Sequence, residues 1–185
     1  GNLWKFDLSS ATSASWAVAY TSAGVPAPLF KAASGQPFTA RPDVTKHAKG
    51  GYIVNMGTGQ YIDINDNSTT GGQTIYGIWD NGATVALADL QSQNVVSTVT
   101  GLSGSDYRMT TFAVGVPPDT AIAGDNQITT ANYYATKKGW KMNLPTSGER
   151  VVAEATVRGG RLVIATLIPS AAACTFGGSG WIMDI

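Results

Sequence analysis

The chain has almost no cysteine and little charge, and it contains no long apolar run. Cys174 is the single cysteine among 185 residues, so no intrachain disulfide can form. Charged residues make up 13% of the chain, against roughly 25% in an average domain. Lys plus Arg and Asp plus Glu number 12 each, so no basic excess favours nucleic acid as a partner. No apolar run approaches the roughly 18 residues of a membrane helix, so we expect no membrane insertion by this segment.

Helical periodicity is scarce as well, and apolar residues come in short runs bounded by Gly, Pro, Asn and Ser. Gly50-Gly51 precedes the apolar run 52–57, and Gly159-Gly160 precedes the run 161–166. Paired glycines suit the positive φ of tight hairpin turns, so strands are predicted on both sides of each pair, at 39–46 and 150–157 before them. The continuous apolar run Leu162–Ile168 predicts a strand buried on both faces. The chain is therefore predicted to be all-β.

A short strand-like phrase occurs four times. Its copies are Gly1-Asn-Leu-Trp-Lys-Phe-Asp-Leu8, Gln73-Thr-Ile-Tyr-Gly-Ile-Trp-Asp80, Lys137-Lys-Gly-Trp-Lys-Met-Asn-Leu144 and Gly178-Ser-Gly-Trp-Ile-Met-Asp-Ile185. The interval before the last copy agrees with a four-stranded propeller blade of roughly 40–50 residues, and the longer ones leave room for an insertion each. The sequence thus predicts a partial β-propeller of about three blade-like units, all of 1–185 in one domain, with blade ends near 8, 80, 144 and 185. A β-sandwich with chance likeness among its strands is the alternative.

The repeated tryptophan predicts a packing role. Trp4, Trp79, Trp140 and Trp181 each lie inside a copy of the phrase, and each can bury on the order of 150–250 Å² between adjacent blades. Because closed propellers have four to eight blades, three units leave open edges. We therefore expect the chain to be part of a longer propeller, with its natural N-terminus missing. The stretch 103–134 is predicted to be a rim insertion and a partner contact.

An Asp- and Asn-rich stretch offers an incomplete calcium-binding pattern. Asp63, Asn65 and Asn67 provide oxygen ligands at the first, third and fifth places of a calcium loop. The sixth place lacks glycine, and the twelfth place is Thr74 rather than a bidentate glutamate. An Asx-rich turn, whose side chains bond to the backbone, explains the same residues. Both interpretations stay open, and the stretch Tyr61–Gly72 is predicted to be a loop.

Catalytic groupings are poorly supported. His47 and Cys174 have no motif around them, and His47 is expected to be a solvated loop histidine. Glu149-Arg150 is expected to be a structural ion pair or a pair of exposed charges. Asp119 and Asp125 resemble glycosidase carboxylates only in residue type, because nothing in the sequence sets their separation. The sequence therefore predicts a protein that is not an enzyme.

The order of the motifs resembles a known family. The quoted phrases occur together with Gly57-Thr-Gly-Gln-Tyr61, Ser147-Gly-Glu-Arg-Val-Val152, Thr166-Leu-Ile-Pro169 and Gly177-Gly178. Over nearly the whole chain they resemble the C-terminal β-propeller of the PilC/PilY family, the tip-associated adhesins and assembly factors of bacterial type IV pili. The resemblance implies an exported protein at the pilus tip, the outer membrane or the cell surface. It implies minor pilins and other tip proteins as partners, and a host-cell or abiotic surface as the target of adhesion.

The resemblance also implies a calcium loop that controls pilus extension against retraction. In the family this loop lies upstream of the Gly-Asn-Leu-Trp phrase, so calcium is expected in the full-length protein and not in this segment. Two alternatives remain. A quinoprotein dehydrogenase has similar blade-ending phrases, although its usual pair of adjacent cysteines is missing here. A propeller that binds glycans or proteins without any pilus role is the other.

Overall fold

A computed structural model describes residues 1–101, 106–110, 136–170, 172 and 177–185. These residues form short strands and three 3-10 helices, Ser13–Ser15, Ile64–Ser68 and Leu87–Asp89. The strands are β1 (Asn2–Leu3), β2 (Phe6–Asp7), β3 (Ala17–Val18), β4 (Thr21–Ser22), β5 (Val25–Pro26), β6 (Phe30–Lys31), β7 (Asp43–Lys46), β8 (Tyr52–Gly57), β9 (Thr74–Asp80), β10 (Gln91–Gln93), β11 (Val95–Thr100), β12 (Asp106–Thr110), β13 (Gly139–Asn143), β14 (Thr156–Arg158), β15 (Arg161–Ala165), β16 (Ile168–Pro169), β17 (Gly178–Ser179) and β18 (Ile182–Asp184). The prediction of an all-β chain is confirmed.

The first unit is a pair of short strands. β1 pairs antiparallel with β6, with Asn2 opposite Lys31 and Leu3 opposite Phe30. Between them the chain forms two small ribbons, β2 with β3 and β4 with β5. Trp4 lies between β1 and β2 and is 40% exposed, so the packing role predicted for this tryptophan is wrong. The reason is that the chain leaves the sheet at this point and enters the ribbons.

The second unit is a sheet with the strand order β10-β13-β9-β8-β7. β7, β8 and β9 form an antiparallel meander, and β13 returns antiparallel to β9 with Trp140 opposite Gly77. β10 adds to β13 in the parallel direction. Two copies of the phrase, β9 and β13, are therefore neighbours in one sheet. The blade ends predicted near 8, 80, 144 and 185 stay a prediction, because likeness between phrases does not reveal which strands pair.

The third unit is the antiparallel sheet β14-β15-β18, and β16 pairs with β17 beside it. β9, the middle strand of the second unit, is buried along its whole length. One apolar cluster joins Ile75 on β9 to Ile164 and Met183 of the third unit. Another joins Tyr76 and Ile78 on the opposite face to Phe30 of the first unit. The second unit is thus packed between the other two, as blades are in a propeller.

Burial differs between β9 and β15. Leu162 and Ile164 on β15 are buried, whereas Val163 between them is 37% exposed. The prediction of a strand buried on both faces is wrong for this run and describes β9 instead. The reason is that β9 has a packed neighbour on each face within the described residues, and β15 has one.

The two glycine pairs form different turns. Arg158 pairs directly with Arg161, so Gly159-Gly160 forms a two-residue hairpin with φ of 58° and 81°. Before Gly50-Gly51 the last strand pair is Lys46 with Tyr52, which leaves a five-residue turn. The strands before the pairs also begin later than predicted, at Asp43 and Thr156. Pro42 explains the first delay, because proline has no N–H to donate to the sheet.

Two glycines on strands of the second unit allow close packing. A Cβ on Gly77 would lie 2.1 Å from Nε1 of Trp140, and one on Gly57 would lie 2.3 Å from Cβ of Val151.

Trp140 and Trp79 are buried, and Trp181 packs half-buried against the cluster around Ile164. The packing role predicted between blades is confirmed for Trp140 and Trp181. Trp79 is buried against His47, in the β7–β8 turn of its own sheet.

Candidate functional site

The polar loop, residues 61–72, is held together by its own side chains. Asp63 caps the 3-10 helix Ile64–Ser68, since its Oδ1 accepts hydrogen bonds from the backbone N of Asn65 (2.9 Å) and from Asn65 Nδ2 (2.6 Å). Oδ1 of Asn67 accepts a hydrogen bond from the Tyr61 hydroxyl at 2.7 Å. Side-chain bonds to the backbone of this kind explain why an Asx-rich sequence turns here.

This arrangement does not fit a calcium loop. Asn65 turns its amide nitrogen, rather than its oxygen, toward the Asp63 carboxylate, and a calcium ion needs oxygen ligands. Thr74, the twelfth place of the pattern, lies within β9 and donates its hydroxyl to Asn143 Oδ1 at 3.0 Å. In the part of the chain that the structure describes, no group of three or more His, Cys, Asp and Glu side chains could hold a metal ion. Calcium at Asp63, Asn65 and Asn67 stays a prediction that the geometry does not favour.

The Arg150 side chain holds the polar loop in place. Its side chain is buried and donates to the carbonyl oxygens of Gln60 (2.9 Å), Asp66 (2.8 Å) and Thr69 (2.7 Å), and its Nε donates to that of Gly148 (2.9 Å). Asp66, which belongs to the same loop, is also buried. Hydrogen bonds from the backbone N–H groups of Asp63 and Ile62 hold the pKa of its carboxyl below the ordinary value. The loop is therefore rigidly attached to the sheet.

A cleft of about 600 Å³ opens beside this clamp. The loop between β6 and β7, the polar loop and the start of β1 form its walls. Its lining residues are Gly1, Asn2, Gly35, Gln36, Pro37, Phe38, Gln60, Asp66, Thr69, Gly71, Gln73 and Arg150. The lining includes three glutamines and the aromatic residue Phe38. The cleft therefore collects residues from separate stretches of the chain.

A buried ion pair attaches β12 to the third unit. The guanidinium of Arg108 donates to both carboxylate oxygens of Glu149, at 2.6 and 2.8 Å, and lies 4.1 Å from the Trp181 ring centroid. Burial by itself would raise the pKa of Glu149. The hydrogen bonds from Arg108 and from the Thr166 hydroxyl outweigh burial and hold that pKa below the usual 4.5. Arg108 has no distinguishing sequence signal, so the pair was missed in the sequence.

A second buried carboxylate fastens the first unit to the second. Asp80 accepts hydrogen bonds from Lys5 Nζ at 2.6 Å and from the Tyr20 hydroxyl. Burial opposes ionisation, but these donors hold the pKa of Asp80 below its ordinary value. Asp80, which ends its copy of the repeated phrase, thus has a structural role. The sequence signal for this role is the recurrence of Asp or Asn near the end of each copy.

The residues that the sequence analysis considered as catalytic candidates and set aside have structural partners wherever the structure describes them. His47 is half-buried against the Trp79 ring, 4.6 Å between centroids, so the prediction of a solvated histidine is wrong. Burial, followed by the nearby charge of Lys49, lowers its pKa. Glu149 and Arg150 are buried and bind other partners, which corrects the prediction of a mutual pair or exposed charges. Cys174, Asp119, Asp125 and most of 103–134 lie outside the described residues. None of the described helices is both long and apolar enough to cross a membrane.

Comparison with known proteins shows which family shares this architecture. Residues 1–104 match the family model described as PilY1 beta-propeller domain. The Xylella fastidiosa protein named Type IV pilus biogenesis factor PilY1 homolog is 34% identical over 195 residues, covering 98% of this chain and 12% of that protein. Type IV pilus biogenesis factor PilY1 of Pseudomonas aeruginosa is 27% identical over 221 residues, covering 98% of this chain and 19% of that protein. The chain thus spans less than a fifth of the length of these relatives.

A solved structure shows the same fold. The crystal structure of the Pseudomonas aeruginosa PilY1 C-terminal domain matches with a TM-score of 0.72 and 25% sequence identity. The match covers all of this chain and 42% of that one. The predicted β-propeller is therefore confirmed, and the resemblance found in the ordered motifs is confirmed with it. The chain belongs to the PilY1 β-propeller family.

Proposed function

We propose that this segment is a non-enzymatic propeller portion of a type IV pilus biogenesis factor. It supports pilus assembly, the balance of extension against retraction, and adhesion to host cells or abiotic surfaces. The observation that carries the proposal is that relatives with this name match 98% of the chain, together with the shared propeller fold. By the same reasoning the protein acts at the cell surface, at the pilus tip, with minor pilins as its partners.

The described ionisable groups support a scaffold more than an enzyme. Glu149, Asp80 and Arg150 are buried, and each is engaged in hydrogen bonds that join one part of the chain to another. Trp79 and Trp140 are buried in the sheet packing and do not line the cleft, whereas a quinoprotein needs a tryptophan against its quinone. The dehydrogenase hypothesis is not supported by relatives named as pilus biogenesis factors.

The test is a deletion of this segment from the gene of the whole protein in its own bacterium. We expect fewer surface pili by electron microscopy and reduced twitching motility, both restored by the unaltered gene. Repeating the deletion in a strain that lacks pilus retraction separates the two roles. Pili that return in that strain indicate opposition to retraction, and pili that stay absent indicate assembly. Normal piliation and motility after deletion, with the remaining protein exported, would contradict the proposal.

We further propose that the polar loop holds its shape without calcium, and that calcium dependence of the full-length protein resides elsewhere. The capping bonds of Asp63 and the clamp by Arg150 support this. We measure the melting temperature of the unaltered protein and of the Asp63→Asn variant, with excess calcium and with a chelator. Each treatment should shift the two melting temperatures by the same amount. A calcium-induced rise that disappears only in the variant would contradict it.

A further inference from the structure

The turn that follows β9 contains Asn81-Gly82, the one Asn-Gly pair in the sequence. Tyr52 opposite Asp80 is the last pair between β8 and β9, so the chain leaves the sheet at residue 81. Residues 81–84 are all exposed, and Val85 after them is buried again. An Asn-Gly pair is thus open to water at the end of a strand that is buried along its whole length.

Asparagine is a thermolabile residue, because the backbone nitrogen of the next residue can attack its side-chain carbonyl carbon, Cγ. A bond forms between that nitrogen and Cγ, and the bond from Cγ to Nδ2 breaks. The backbone nitrogen loses a proton, the departing NH2 group gains one, and ammonia leaves. Water then opens the resulting succinimide ring at either carbonyl, which yields aspartate or isoaspartate. Glycine in the next position favours the attack, since it has no Cβ to hinder it and its backbone rotates freely.

The attacking nitrogen of Gly82 is accessible in this fold. Its N–H donates to Asp80 Oδ1 at 3.2 Å, the long end of the usual range, and no backbone carbonyl of a described residue accepts it. The nitrogen is therefore not fixed in a sheet ladder. A Cβ built on Gly82 would meet nothing within 4 Å, so the space around it is open. The Asp80 carboxylate also lies next to the proton that this nitrogen has to lose.

The amide of Asn81 is accessible as well. Its side chain is exposed, and within the described residues no hydrogen bond holds the amide group. Asn67 differs, since its Oδ1 accepts a hydrogen bond from the Tyr61 hydroxyl and its backbone belongs to a 3-10 helix. A small residue, Ser68, follows Asn67 too. Asn67 is therefore an internal reference that shares much of the local sequence but not the freedom.

The same turn lies where the first unit is attached to the second. On one side of it Asp80 binds Lys5 Nζ at 2.6 Å, and on the other side the Val85 N–H donates to the carbonyl oxygen of Leu29 at 2.8 Å. Isoaspartate would lengthen the backbone by one atom between these two contacts. It would also add a negative charge beside Asp80. Both changes disfavour the present attachment.

We propose that Asn81 is a site of spontaneous deamidation through a succinimide, and that isoaspartate at this position loosens the attachment of the first unit. The proposal depends on the turn alone and goes beyond the pilus role. It is tested in the purified protein, whereas the pilus role is tested in the bacterium, so either can fail without the other.

The test is peptide mass spectrometry of the folded protein after incubation at neutral and at alkaline pH, with electron-transfer fragmentation to tell isoaspartate from aspartate. Asn81 should lose its amide at least ten times faster than Asn67. Isoaspartate should accompany aspartate, because only the succinimide route produces it. The reaction should be faster at alkaline pH, because the Gly82 nitrogen has to lose its proton.

Gly82→Ala should slow the reaction at Asn81 at least tenfold. Its matched control is Gly24→Ala, because Gly24 also has a positive φ, 78° against 95° for Gly82, and also has nothing within 4 Å of an added Cβ. The backbone strain of the two variants is therefore similar, but the control should leave the rate at Asn81 unchanged. If Gly82→Ala does not fold, the comparison with Asn67 and the isoaspartate content of the unaltered protein still decide.

The effect on the fold is measured on the separated product. Deamidation adds a negative charge to a chain of zero formal net charge, so anion exchange can isolate the isoaspartate form. This form should melt several degrees below the unaltered protein, and an equal melting temperature would overturn the loosening. Three results would overturn the deamidation site. These are an Asn81 amide that lasts as long as that of Asn67, aspartate without isoaspartate, and equal rates at Asn81 in the two folded glycine variants.

Discussion

The Arg108–Glu149 pair gives the sharpest test of how this fold is stabilised. Arg108→Met keeps much of the side-chain volume and removes the guanidinium. Glu149 is fully buried, so the variant leaves a carboxylate without its charged partner. The matched control is Arg161→Met, because Arg161 forms its ion pair with Asp184 while 64% of its side chain is exposed.

The burial of the pair determines the expected magnitude. Breaking a buried ion pair by removing one partner costs about 3–5 kcal/mol, whereas exposed pairs contribute about 0–1 kcal/mol. Arg108→Met should therefore lower the free energy of unfolding at pH 7 by about 3 kcal/mol or more. The control should lower it by less than about 1 kcal/mol. Native domains have a total stability of only about 5–15 kcal/mol, so the first loss is easy to measure.

The pH dependence follows from the depressed pKa of Glu149. Its contribution is fully present above the unfolded value of 4.5 and is lost as the pH falls through the lower folded pKa. In Arg108→Met the remaining burial should raise that pKa above 4.5, so the variant is penalised most at neutral pH. Urea unfolding at pH 7 and near pH 4 measures this. The difference in free energy of unfolding between the unaltered protein and Arg108→Met should be smaller at the lower pH. Equal losses in both variants, or a loss independent of pH, would refute the reasoning.

Three further changes test other parts of the fold. Gly77→Ala should destabilise by about 1–3 kcal/mol or more, because the new Cβ would lie 2.1 Å from the Trp140 ring, and thermal unfolding measures this. Gly72→Ala is its control, since nothing lies within 4 Å there and a shift above about 1 kcal/mol would contradict the packing argument. Arg150→Met should speed hydrogen exchange in the polar loop and leave β15 protected, and uniform exchange would contradict the clamp. Asp80→Asn should lower the urea midpoint at pH 7, and this loss should shrink as the pH falls below 3.8 and through the lower folded pKa, because protonation of Asp80 removes its contribution.

The phrase repeat made the fold class predictable from the sequence. Each copy is short, apolar and bounded by turn residues. These are properties of the local sequence and do not depend on contacts between distant residues. Trp140 and Trp181 are packed between units as predicted. The Gly159-Gly160 hairpin was also predictable, because a two-residue turn depends on backbone freedom at two adjacent positions. The family resemblance rests on the same ordered phrases.

Strand pairing was not predictable, because it depends on contacts between residues far apart in the chain. β9 and β13 carry similar phrases, yet the phrases do not reveal that these two strands lie side by side in one sheet. Burial was likewise not predictable from the sequence. Run 161–165 is as apolar as β9, but only β9 has a packed neighbour on both faces in the described residues.

The candidate site was decided by tertiary structure for the same reason. The sequence singled out Asp63, Asn65 and Asn67, whose side chains are satisfied within their own turn. The cleft instead collects residues from four separate stretches, and no local pattern connects Gln36 to Gln73. The sequence by itself determined the strands, the turns and the family. Only the fold determined which polar groups meet, since hydrogen bonds and burial depend on distances that the chain acquires when its sheets pack.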